Sequence, residues 1–231
     1  MAALHISIAA EPLFNIYGFA VTNALVTTWV VMAVLILIGV YSKMFGTPRV
    51  LKILMTFFWS LCKDAMGEHA SMVFPLIMTI FIFVALSNLV GLIPGVGSIS
   101  FNGVHLFRSP SADLSTTLAL GIVAFTSIQV MSVMRLGAGG SMARFISIKN
   151  PMSFAIGPLE IVLEFAKIFS FGFRLLGNVF AGEVLLAVMT YLVPLALPAP
   201  FYGLEVAVSI IQAFIFALLT LIFISIATTS H

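Results

Sequence analysis

The sequence is poor in the residues from which soluble enzymes build their sites. It has a single cysteine, Cys62, which excludes an intramolecular disulfide and any multi-cysteine metal centre. Charged residues fill only 8% of its 231 positions, ten Lys and Arg against eight Asp and Glu. A soluble domain carries about 25%. The pattern GxxxxGK[ST] is missing, and the glycines of LGAGGSMARF follow an apolar helix rather than a strand. They therefore make a flexible loop and not a nucleotide-phosphate loop. Neither a low-complexity run nor an internal repeat is visible. The first 22 residues include His5 and Glu11 but no Lys or Arg, and so lack the basic segment that opens a cleavable signal peptide.

What is present is apolar: 61% of the residues are hydrophobic and the mean hydropathy is +1.22. Such values belong to an integral membrane protein. The net charge of +2 comes from basic groups gathered between apolar runs. That placement points to membrane topology and away from nucleic acid as a partner.

The apolar runs predict an all-α integral membrane protein of about five membrane helices plus an interfacial amphipathic helix. An outer amino-terminal segment, 1–23, leads into span one, 24–41, with Trp29 and Tyr41 as interfacial anchors. Within 45–69, Pro48 to Met66 reads as a helix at the membrane surface whose Lys side chains snorkel to headgroups. His69 has no second His or Cys near it and reads as a solvated histidine rather than a metal ligand or proton carrier. Span two, 72–93, is stopped by Pro94, Gly95 and Gly97. Its Asn88 either lines a polar path or hydrogen-bonds a neighbouring helix. An outer loop with His105 and Arg108 leads to span three, 114–136, which Ser111 or Asp113 caps. Gln129 is the large polar side chain of that span. Pro151 and Pro158 precede a fourth element, 160–192, and Pro194, Pro198 and Pro200 precede a fifth, 201–228. At roughly 50 and 42 Å these two exceed the hydrocarbon layer of about 30 Å, so they form a strongly tilted hairpin or break.

Charge asymmetry gives an orientation. Lys43, Arg49, Lys52 and Lys63 follow span one, and Arg135, Arg144 and Lys149 follow span three. Of the alternate connections one holds Arg108 and the other has no basic residue. Five spans with the amino terminus outside and the carboxyl terminus inside satisfy that bias.

Arg174 is the focus of the fourth element. Its guanidinium stays protonated, and a mid-bilayer arginine costs at least about 2.5–3.5 kcal/mol unless it faces protein or water. At about 100° per residue, Glu160, Glu164, Lys167, Phe171, Arg174, Asn178 and Gly182 fall on one stripe. Glu160–Glu164 and Glu164–Lys167 are neighbouring pairs near the entry end. Gly172, Gly177, Ala181 and Gly182 leave bare surface on which another helix can approach closely. Glu183 lies half a turn away and about 13 Å further along, out of reach of Arg174. On the fifth element, Glu205 and Gln212 share a face.

These residues carry a resemblance. FRLLGNVFAGE, Phe173 to Glu183, resembles the signature of subunit a of the rotary F-type ATP synthases, the stator subunit that carries ions past a ring of small c subunits. PSADLSTTLALG, from Pro110, and QAFIFALLTLIFI, from Gln212, match the same family strongly, and SNLVGLIPG and EPLFNIYGFAVTN more weakly. Ile168 departs from the pattern, since many relatives have proline there. By this resemblance Arg174 is the essential arginine facing the ring carboxylates. Asn178, Glu183, Glu205 and Gln212 are positions of the proton pathway. Glu160, Glu164 and Lys167 are either the inner half-channel or an interfacial ion-paired face. The implied partners are the c-ring, peripheral-stalk b subunits, other synthase subunits and membrane lipid. No cofactor and no metal is implied; the carried ion is H⁺, with Na⁺ the alternative, and the location is a bacterial plasma membrane. Two other readings exist. One is a secondary transporter in which Arg174 binds an anionic solute, against which the lack of repeated halves argues. The other is a structural subunit in which Arg174 merely pairs with Glu205.

Overall fold

The computed structural model describes residues 10–16, 19–93, 100–101, 104–105, 107–143, 151–193 and 198–228. Among the expectations above, those on His5, Pro94, Gly95, Gly97, Arg144, Lys149 and Pro194 lie outside them. The described chain is mostly helical, with two small antiparallel hairpins, one before the first helix and one in a connection. The first pairs β1, Pro12–Ile16, with β2, Phe19–Thr22, and Asn23 N–H donates to the Glu11 carbonyl to close it. The second joins β3, Ser100–Phe101, to β4, Val104–His105.

Five stretches are long and apolar enough to cross a membrane. The first is α1, Asn23–Phe45, opened by Thr22, whose Oγ1 accepts from Leu25 N–H at 3.3 Å. Next comes the amphipathic α2, Arg49–Met66, a short 3₁₀ turn at Gly67–His69, and α3, Ala70–Val90. The next is α4, Leu114–Ala143, in which Gly137 adopts φ +73° and interrupts the helix one residue beyond the expected end of the span. Asp113 caps α4 as the sequence predicts: its Oδ2 accepts from the backbone N–H and the hydroxyl of Thr116.

The last two helices are longer than proline placement implies. α5, Pro151–Leu192, runs through Pro158 rather than starting after it. α6, Pro198–Thr228, begins three residues before the expected start, because Pro198 and Pro200 occupy its first turn, where a missing N–H leaves no intrahelical bond unmade.

The core is built around α3 and α6. Ile77, Val84, Phe216, Leu221 and Ile224 are fully buried, and Phe171 of α5 packs on Phe216 with ring centroids 4.7 Å apart. The apolar stripe of α2, Phe58, Cys62 and Met66, is also buried, with the Phe58 ring tilted against Phe81 of α3 at 4.6 Å and beside Phe214 of α6 at 5.9 Å. Trp59 meets Phe74, so α2 folds back along α3. Lys52, Lys63 and Asp64 project from its exposed side. Where α4 meets α5, a Cβ on Gly121 would lie 2.8 Å from the Ile168 carbonyl oxygen, so only glycine permits that separation.

Tertiary bonds sort the helix ends. Thr27 of α1 accepts from Arg108 N–H, and Ser109 Oγ donates to the Ser87 carbonyl of α3. The start of α1, the end of α3, the start of α4, the end of α5 and the start of α6 therefore share one end of the bundle. At the other end Ser132 of α4 donates to the Ala227 carbonyl of α6, and Ser225 of α6 to the Ala65 carbonyl of α2.

Candidate functional site

Two polar clusters lie towards opposite ends of α5, with Arg174 between them. At the end shared with the Arg108 loop, Arg108 Nε is 3.7 Å from Glu183 Oε2, and its Nη2 donates to the Ala112 carbonyl at 3.3 Å. The loop 107–113 is itself fixed, since Arg108 N–H binds Thr27 and Ser109 binds Ser87. Glu183 is thus held by a residue 75 positions earlier. Beside it, the carboxyl of buried Glu205 rests against Gly182, whose missing side chain makes the room. Glu183 and Glu205, both expected on the proton pathway, are thus brought close together on facing helices.

Toward the opposite end, Glu164 is 4% exposed and doubly engaged. Its Oε1 accepts from Lys167 Nζ at 2.6 Å and its Oε2 from Gln129 Nε2 at 3.0 Å. Lys167 Nζ also stands 4.8 Å from the centre of the Phe223 ring. A buried carboxylate is tolerable only when its charge and lone pairs are met in this way. Glu160, one turn earlier, is half-buried.

Arg174 is exposed, and among the described residues it makes no hydrogen bond or ion pair. A packing pair with Glu205 is therefore not formed. The guanidinium borders a recess of about 320 Å³ between α5 and α6, lined by Lys167, Ser170, Phe171, Leu219 and Phe223 among others. Lys167 lies seven residues before it and Glu183 nine after, so about 10 Å separates Arg174 from one cluster and about 13 Å from the other along the axis.

The polar stripe of α5 follows its seam with α6. Phe171 and Gly182 point into the seam and Arg174 stands at its edge. Phe173, Gly177 and Ala181 lie on an exposed face, and nothing approaches within 4 Å of where a Gly177 side chain would start. The contacts of Phe171 with Phe216 and of Gly182 with Glu205 set an antiparallel register. It places Asn178 near Ser209 and Arg174 near Ala213, one residue from Gln212.

Three amides mark the interior between the clusters. Asn178 Nδ2, Gln212 Nε2 and Asn88 Oδ1 are buried with no hydrogen-bond partner among the described residues. Asn88 Nδ2 donates to the Ser209 carbonyl at 3.3 Å, the interhelical bond foreseen as one of its two roles. An unmet buried amide costs about 1–3 kcal/mol, which water in the seam would recover. Among the described residues no group of three or more His, Cys, Asp or Glu is arranged to hold a metal ion.

Among the described residues Glu183 and Glu205 come together where α5 meets α6, and Arg108, which the sequence shows only as a residue of the outer loop, joins them. Its being the one basic side chain in the connections at that end was the available signal. The partner of Gln129, Glu164, lies 35 positions away and has no local sequence signal.

Residues 22–225 match the family described as ATP synthase A chain. The chain is 31% identical to ATP synthase subunit a of Moorella thermoacetica, over 92% of this chain and 94% of the relative. Against ATP synthase subunit a 2 of a Bradyrhizobium strain the identity is 32% over 94% of both chains. Against ATP synthase subunit a 3 of Pelobacter propionicus it is 33% over 97% of this chain and 90% of the relative.

Proposed function

The chain belongs to the ATP synthase A chain family, an integral membrane subunit of the ATP synthase, and from this premise we propose that it forms two offset proton half-channels separated by Arg174. The observation that carries the reading is the placement of Arg174. It is an exposed guanidinium without a partner among the described residues, beside a helix face that the described residues leave uncovered at Gly177. A fixed charge on a membrane-facing surface calls for a second protein. A ring of small subunits, each carrying one membrane carboxyl, supplies it.

The mechanism follows from charge and solvation. A carboxyl in lipid prefers to be neutral, and a guanidinium beside it favours the carboxylate. A ring carboxyl arriving at Arg174 gives up its proton to one half-channel, and once past it takes one from the other. Glu183, Glu205 and Arg108 line the outer path, with Asn178 and Gln212 binding water along it; Glu164, Lys167 and Gln129 belong to the inner path. Amides do not titrate, so they orient water and do not carry protons.

Arg174 also repels a proton or Na⁺ moving directly between the paths. One charge crossing 100 mV yields about 2.3 kcal/mol, so synthesis needs several ions for each ATP and any leak reduces the yield. The carried ion is H⁺, the stator partners are peripheral-stalk b subunits, and the complex resides in a bacterial plasma membrane. The chain's part is ion conduction, and it binds no nucleotide.

Cysteine cross-linking tests the docking. With Gly177→Cys or Phe173→Cys in the assembled complex and a cysteine one turn from the ring carboxyl, oxidation yields a heterodimer of the two subunits. Cross-linking only to lipid-facing or stalk positions overturns the reading.

A further inference from the structure

A second recess, of about 330 Å³, opens at the other end of the bundle from Glu183, where α2 turns into α3 beside the ends of α4 and α6. Its floor is Met66, Val73 and Thr228, all buried. Its rim carries two basic side chains, His69 and Arg135, both exposed. Arg135 Nη1 donates to Thr228 Oγ1 at 3.2 Å, which holds the guanidinium against the recess and leaves it further N–H donors. Among the described residues Arg135 has no carboxylate partner.

From these observations we propose that the recess binds the phosphate of an anionic phospholipid, with Arg135 and His69 as donors and the acyl chains along exposed Met72 and Met134. The chemistry selects this occupant on three counts. Arg135 and His69 stand on the rim of the recess, and basic pockets between membrane helices favour anionic headgroups. Met72 and Met134 are 43% and 65% exposed and adjoin the polar mouth, an apolar surface continuous with the site. Methionine is flexible and polarisable, and so adapts to a mobile chain. Four thioethers would by themselves suit a soft metal cation, but the fixed charge of Arg135 opposes one. The inference depends on the membrane setting of the chain and not on the role of Arg174.

Photolabelling of the whole complex tests it. The complex is reconstituted in phosphatidylcholine vesicles containing a few mole per cent of diazirine-tagged phosphatidylglycerol, and the labelled peptides are identified by mass spectrometry. Adducts are expected at Met72 and Met134, competed by unlabelled phosphatidylglycerol. Arg135→Gln lowers them about fivefold, the effect of removing one basic side chain near an anionic surface, and Arg135→Lys largely restores them. Equal labelling by tagged phosphatidylcholine overturns the proposal, as does labelling indifferent to Arg135→Gln in a complex that still assembles. So does protection of the site by a neighbouring subunit, which would make that subunit the occupant, or competition by millimolar inorganic phosphate, which would make the ligand a free anion.

Discussion

The carboxyl of Glu205 on α6 occupies the space that a side chain at position 182 of α5 would fill. This contact brings Glu205 beside Glu183, the residue following Gly182, and fixes how closely the two helices meet. Gly182→Ala is therefore expected to displace the acid and cost about 1–3 kcal/mol in overpacking. ATP-driven proton pumping falls accordingly. Adding Glu205→Asp, which shortens the side chain by one methylene, restores part of the pumping; no recovery in the double variant would argue against this packing.

Arg108 ties the loop 107–113 to Glu183 across 3.7 Å. Arg108→Gln keeps a donor toward the Ala112 carbonyl but removes the charge. The expected outcome is intact assembly with several-fold slower ATP synthesis at low driving force, measured in vesicles with an imposed proton gradient. Unchanged rates would mean that Glu183 needs no counter-charge.

The membrane helices, the cap at Asp113 and the isolation of Arg174 were legible because each is written in local sequence. Apolar runs, an acid at a helix start and a charge within an apolar face need no tertiary knowledge. The Arg108–Glu183 and Gln129–Glu164 contacts were not legible, since they join residues 75 and 35 positions apart through packing alone. Pro158 misled for a related reason: proline is a local signal for a break, and the surrounding helix overrides it. The hairpin of β1 and β2 lay in a stretch whose apolar and polar residues show no clear alternation.

Gln212 and Asn178 have buried amide nitrogens without partners among the described residues. Replacing Gln212 with Leu removes an unmet polar group, so the assembled complex should be at least as stable to heat. Proton flux should nevertheless drop, because the water that the amide orients is lost. A variant both less stable and fully active would refute a role in conduction.

Glu164 is the hub of the other cluster. Glu164→Ala strips Lys167 and Gln129 of their shared acceptor, a loss of about 1–3 kcal/mol in a setting this buried. Glu164→Gln keeps the shape and part of the hydrogen bonding. If the cluster conducts protons, both variants slow pumping even where Glu164→Gln melts like the parent. Normal pumping in Glu164→Gln would leave the cluster a structural one.

The most direct measurement compares the parent with Arg174→Ala for gradient-driven ATP synthesis, ATP-driven pumping and passive proton leak in the same vesicles. An intact Arg174→Ala assembly is expected to lose both coupled activities and leak protons faster, since both deprotonation of the ring carboxyl and the charge barrier disappear. Normal coupling in the variant would contradict this and reduce Arg174 to a helix-packing residue.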